Sequence, residues 1–337
     1  MRLAALCLAL ILPVAATAQD AADIVQQAVR DHIMPGYTAL AETGEALAKA
    51  ARDDCAPDSP SLRGAYHDAF DAWVSVSHLR FGPSEAGDRA FALAFWPDTR
   101  GLTPRSLQGL IAEADPVADS AAAYSEASIA ARGVYALEFM LYDPDMQALG
   151  DPAYRCKLVQ AMTADIAALG GEILADWQDG YGDAMRNPGA TGPYRTPEEA
   201  VQELFKALTY GLQFTAETRL GRPLGTFDAP HPKRAEAWRS GRPLRNTVLS
   251  LEALADLAVI LAQSDPVLAE TLQGAFRAAL TDVAALDDPL LAGVADPQAR
   301  LRVESLQQSV GRIREIIQTD LAPRLGVASG FNAMDGD

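Results

Sequence analysis

The residue with the most chemical leverage in this chain is a carboxylate in the middle of an apolar run. In Gly133-Val134-Tyr135-Ala136-Leu137-Glu138-Phe139-Met140-Leu141-Tyr142-Asp143, Glu138 is flanked by Leu137, Phe139, Met140 and Leu141. Burying an unpaired carboxylate is costly, so Glu138 needs a partner or a raised pKa. Tyr135 lies three residues earlier and shares a helix face with it. Gly133 permits close approach of another backbone or of a ligand. Two readings follow: a ligand pocket centred on Glu138, or a buried structural Glu–Arg pair. Arg80 is the expected partner, because it ends a helix that should pack in the same bundle, and Asp98 is expected to complete the set. The other role open to Arg80 is charge stabilisation at a helix C-terminus, worth ~0.3–1 kcal/mol. Trp73 and Trp96 read as core residues before ligand-stacking ones. Arg222, Arg239 and Arg242 either bring positive charge to the site from the second half or are solvated loop cations.

Hydrolytic chemistry has little support. Catalytic zinc takes three protein ligands, often two histidines four apart on a helix with a glutamate base. His67 and His78 are too far apart for one metal, ~16 Å along a helix. His32 lies near the start and His231 in a proline-rich stretch, and no His-Glu-x-x-His occurs. There is no Gly-x-Ser-x-Gly elbow and no glycine loop to cradle a phosphate.

The elements that must position Glu138 read as helices. Leu62, Tyr66, Ala69, Trp73, Val76 and Leu79 recur at three and four, as do Val303, Leu306, Val310, Ile313, Ile317 and Leu321. Val248, Leu251, Leu254, Ala258 and Leu261 mark a third face. Thr196-Pro197-Glu198-Glu199 is a capping box with proline at the first helical position. Asp115, Asp151, Asp265 and Asp296 each precede a first-turn proline. With no alternating strand pattern between these signals, the class is all-α, built as helical bundles. Three stretches rich in Gly and Pro break the helices: Phe81 to Pro104, Gly180 to Pro197 and Gly221 to Pro243. They exceed simple connections, so they are expected to cover or line something. A short echo relates Leu79-Arg80-Phe81-Gly82-Pro83 to Thr218-Arg219-Leu220-Gly221-Arg222-Pro223, and Ala136-Leu137-Glu138 to Ser250-Leu251-Glu252. It fits two related bundles.

Residues 1–18 read as a secretory signal: Arg2, an apolar stretch from Leu3 to Val14, and the small-residue site Ala16-Thr17-Ala18. Export to the periplasm is the expectation, with no later segment apolar enough to span a bilayer. Cys7 falls inside the signal, which leaves Cys55 and Cys156 as an expected disulfide, with two buried thiols as the other reading. The net charge of −17 repels phosphate backbones and excludes nucleic acid as a natural partner.

The ordered set of motifs resembles the imelysin family. That family carries Gly-x-His-x-x-Glu on a helix, matched here by Gly133, Tyr135 and Glu138, with tyrosine in the histidine's place. A Trp helix leading to an Arg-x-Gly-Pro turn is matched by Trp73 and Arg80-Phe81-Gly82-Pro83. Trp96-Pro97-Asp98, Trp238-Arg239-Ser240 and the ending Gly330 to Asp337 are similar to further family segments. The resemblance implies two four-helix bundles packed together with long covering loops, divided as 19–165 and 166–337, and a pocket between them around Glu138. It implies a periplasmic binding or accessory protein in the uptake of iron or another metal, with other envelope iron-uptake components as partners. Together with the reading of the residues around Glu138, the expected ligand set is Arg80, Asp98, Tyr135 and Glu138. An iron or other divalent ion would fall to Glu138 and Tyr135. A phenol is a poor ligand unless deprotonated, and ferric iron tolerates phenolate best. Tyr135 otherwise fills a pocket wall or hydrogen-bonds Glu138. A module for a small organic or carbohydrate ligand is the alternative, and metallopeptidase activity, implied by the family's name, is the weakest reading.

Overall fold

The structure, a computed structural model, describes residues 18–327. The expected signal stretch to Thr17 and the ending Gly330 to Asp337 lie outside the described residues. Among the described residues, ten longer helices carry the structure. They are α1 (Ala18–Gln27), α2 (Met34–Asp53), α3 (Pro60–Val76), α4 (Leu102–Glu113) and α5 (Gly133–Tyr142). After these come α6 (Pro152–Asp176), α7 (Pro197–Gln213), α8 (Pro243–Leu261), α9 (Pro266–Ala284) and α10 (Pro297–Ile316). No strand forms among the described residues.

Side-chain caps set half of these starts. Thr196 Oγ1 accepts from Glu199 N, and Asp151, Asp265 and Asp296 accept from Ala153, Leu268 and Gln298 N at 2.9–3.1 Å. Each satisfies first-turn donors that have no partner inside the helix. Asp115 caps a single 3₁₀ turn, Pro116–Asp119, rather than a long helix.

The apolar faces read from the sequence are the packed ones: Leu62, Tyr66, Ala69, Trp73 and Val76 of α3 are buried, as are Val303, Leu306, Val310 and Ile313 of α10. Helices α2, α3, α5 and α6 pack into one bundle, and α1, α7, α8, α9 and α10 into the other; α3 against α8 joins them. Two features differ from a division at residue 165. Helix α6 runs through it without interruption, and α1 packs on α7 in the second bundle. The chain passes from one bundle to the other through a π-helical turn, Ala28–Ile33. That turn contains neither Gly nor Pro, so the sequence carries no punctuation there. One reading of hydropathy also needs correction. Pro152–Arg186 is long and apolar enough to cross a membrane by length and composition, but most of its most apolar 18-residue window is buried inside the protein. A core helix shared by many neighbours is apolar all round for that reason.

Cross-links tie the bundles internally and to each other. A disulfide joins Cys55 to Cys156 across a separation of 101 residues, fastening the end of α2 to the start of α6. A loop of that length limits the unfolded chain by up to ~4–5 kcal/mol. Between bundles, buried Arg242 pairs with Asp71 and donates from Nη1 to His67 Nδ1 at 3.0 Å. With its Nδ1 accepting, neutral His67 donates from Nε2 to the Tyr142 hydroxyl at 2.9 Å.

Candidate functional site

Helix α5 begins at Gly133, whose φ of +76° is left-handed. A Cβ at Gly133 would collide with the backbone carbonyls of Ala92 and Leu93, so glycine lets the first covering stretch lie directly on the helix start. That approach fixes the height of Tyr135 and Glu138 relative to Trp96. The Tyr135 ring stacks on Trp96 with centroids 5.9 Å apart and meets Phe70 edge-on at 5.2 Å.

Glu138 is buried, and its partner is the third covering stretch. Its Oε1 accepts from Ser240 N at 2.9 Å and Ser240 Oγ at 2.8 Å. Burial pushes the Glu138 carboxyl up from its ordinary range, while the Ser240 donors and the charge of Arg239 hold it back. Ala237 shapes this segment with a left-handed φ of +47°, and its carbonyl oxygen lies 3.1 Å from Ser240 Oγ, a second acceptor for the one hydroxyl proton that Glu138 takes at shorter range. A non-glycine residue there is uncommon and costs on the order of 1 kcal/mol, so the turn is held by what surrounds it.

A second buried carboxylate, Glu236, lies behind the site. Arg219 Nε donates to Glu236 Oε2 at 2.7 Å, and the Tyr135 hydroxyl makes a short hydrogen bond to Glu236 Oε1. Ser250 Oγ accepts from Arg219 Nη1 at 3.2 Å. Burial, followed by the negative charge of Glu236, drives the Tyr135 phenol well above its ordinary pKa. Tyr135 is therefore a neutral donor committed to Glu236, not to Glu138.

Above Glu138 opens a pocket of about 250 Å³. Phe95, Trp96, Asp98, Thr103 and Tyr135 supply one side, and Arg222, Lys233, Arg234, Trp238 and Arg239 the other. The first and third Gly/Pro-rich stretches thus form its walls, while the second, after Gly180, does not contribute. The Arg239 guanidinium sits 3.9 Å over the Phe139 ring and donates to Asp143 at 2.8 Å. Asp98 lines the mouth, but its oxygens accept from Arg100 N and Thr103 N, at 3.2 and 2.8 Å, at the start of α4. Burial raises the Asp98 carboxyl, and the donors of Leu102, Thr103 and Arg100 outweigh it, so the net shift is downward.

Arg80 is not in this pocket. It donates to Glu85 at 2.6 Å from Nε, and the pair is part-exposed. The Gly82-Pro83 turn folds the chain back after α3 and offers a local carboxylate before Glu138 comes within reach. The buried arginine of the site is instead Arg219, which occupies the position equivalent to Arg80 in the sequence echo. Glu236 carried no signal of its own, lying in a polar, Pro-rich stretch.

The residues present do not form a donor set for a bare metal ion. Among the described residues no group of three His, Cys, Asp or Glu side chains is placed to hold one. Glu138 is held by the Ser240 donors, and the Tyr135 phenol is spent on Glu236. His32 and His78 meet each other instead, Nε2 to Nε2 at 2.9 Å, and burial lowers the pKa of both, His32 to about 4.

With this geometry in view, the relatives are informative. Iron-regulated protein A of Synechococcus elongatus is 24% identical over 328 residues, spanning 89% of this chain and 85% of the relative. The crystal structure of an imelysin-like protein from Psychrobacter arcticum matches with a TM-score of 0.78 at 21% identity, covering 95% of this chain and 100% of that one. A structure described as an iron-regulated protein A precursor, from Parabacteroides distasonis, matches with a TM-score of 0.71 at 13% identity, over 90% of this chain and 96% of that one. The family model for imelysin matches residues 33–317, and the chain belongs to the imelysin family.

Proposed function

We propose that this chain is an exported accessory binding protein of iron acquisition, and that it takes its ligand in the pocket over Glu138. The observation that carries the reading is the state of Glu138. It is a buried carboxylate at a pocket floor, held by neutral donors from a separate covering segment rather than cancelled by an ion pair. Such a group retains acceptor capacity that a ligand can use. The iron connection comes from the name of the Synechococcus relative, and periplasmic residence from the signal-like start together with the disulfide, which belongs to an oxidising compartment. Binding is favoured over peptide hydrolysis because the hydrogen-bond partners of Glu138 are the backbone and hydroxyl donors of Ser240.

The test is iron accumulation in the source organism under iron limitation. Deleting the gene is expected to lower radio-iron uptake, with rescue by the wild-type chain and poor rescue by Glu138→Ala. Undiminished uptake in the deletion strain would refute the reading.

A further inference from the structure

We propose that the pocket selects a small organic polyanion, such as a hydroxypolycarboxylate with or without a metal ion attached, and not a bare cation. This rests on the pocket being the binding site and names the class of ligand it takes. Four cationic side chains line it, Arg222, Lys233, Arg234 and Arg239, against two carboxylates, Asp98 and Glu138. That balance runs opposite to the chain as a whole, which carries −17. Cations gathered in one concavity of an acidic protein focus a local positive potential there.

Three of the four have no carboxylate of their own. Arg239 is paired with Asp143, but Arg222, Lys233 and Arg234 make no ion pair among the described residues. Arg222 is the most telling. Its Nε is buried without a hydrogen-bond partner, and burial followed by the charge of Arg234 lowers its pKa. An unsatisfied buried donor is destabilising, more so when charged, and an incoming oxyanion would recover that cost.

The acids do not cancel this charge. Asp98 is occupied by backbone donors at the start of α4. Glu138 lies at the floor, its Oε1 already held by Ser240, where it suits a ligand hydroxyl or a metal ion that the anion carries. The walls argue for an organic skeleton over an inorganic ion. The Arg222 guanidinium lies 5.7 Å from the Trp96 ring and the Lys233 ammonium 5.4 Å from the Trp238 ring, so aromatic faces alternate with cations. At about 250 Å³ the space lies below the ~300–1,000 Å³ of sites for drug-sized ligands, which suits a small ligand.

Isothermal titration of the disulfide-bonded mature chain with iron-free citrate, ferric citrate, inorganic phosphate and Mn²⁺ tests this. Either citrate form should bind, with Kd rising as NaCl is raised, and Arg222→Gln should weaken it at least tenfold. Lys233→Gln/Arg234→Gln, on exposed positions that leave the fold intact, should weaken it severalfold. Phosphate and Mn²⁺ should bind at least tenfold more weakly than citrate. The proposal is overturned if neither citrate form binds, if the exposed double variant binds citrate as wild type does, or if Mn²⁺ or phosphate binds as tightly. None of these results bears on the iron-accumulation test: a chain that binds citrate but leaves uptake unchanged keeps its anion pocket and loses its iron role.

Discussion

Glu138 and Glu236 are both buried, 3% and 1% exposed, and both face the same tyrosine-bearing end of α5, yet the protein treats them differently. Glu236 is closed: Arg219 neutralises it and the Tyr135 phenol fills its other oxygen. Glu138 is open: neutral Ser240 donors steady one oxygen, and a pocket lies above. Burial alone therefore does not distinguish a working carboxylate from a structural one. The pairing does. Full compensation inside the protein leaves nothing for a ligand, and partial compensation does.

Substitutions sharpen that contrast. The largest effect is expected from Glu236→Ala, which strands Arg219 as a buried unpaired cation. Breaking such a pair costs ~3–5 kcal/mol, and urea denaturation should show a loss of that size. A loss below 1 kcal/mol would mean that water or Ser250 already satisfies Arg219. Glu138→Gln should act in the opposite direction. The folded pKa of Glu138 lies above its unfolded value, so its ionised form penalises the fold at high pH, and the penalty disappears below the unfolded pKa. At pH 8 the variant should therefore be more stable than wild type, and the gap should close as pH falls towards 4. A variant less stable than wild type at pH 8 would place Glu138 with Glu236 as a structural residue. The smallest effect belongs to Arg80→Ala. Its part-exposed pair with Glu85 is worth ~0–1 kcal/mol, and ligand affinity should not move.

The fold was largely legible because its signals are local. Apolar spacing at three and four, together with Thr196, Asp151, Asp265 and Asp296 before proline, locates the starts of α6, α7, α9 and α10. The crossing of α1 into the second bundle was not legible, since a π-helical turn over Ala28–Ile33 needs no breaker residue. At the site, Glu138 stood out because a charge in an apolar helix has to be accounted for within a few residues on either side. Its partner did not. Arg80 is near in the bundle, but Glu85 captures it across a five-residue turn, whereas Ser240 reaches Glu138 from 102 residues away. Glu236 and Arg219 are a tertiary pair whose members look like ordinary loop charges, though the echo of Arg80 in Arg219 marked the position. The Trp238-Arg239-Ser240 segment was noticed for its resemblance; its physical role, as the wall that holds Glu138, emerges only when the two halves are brought together.

The central claim is that Glu138, unlike Glu236, is kept for a ligand. Calorimetric titration of ferric citrate into wild type and Glu138→Gln at pH 7.5 tests it most directly. The account predicts at least tenfold weaker binding by the variant, about 1.4 kcal/mol, with no loss of folding stability. Equal affinity in the two proteins would contradict it.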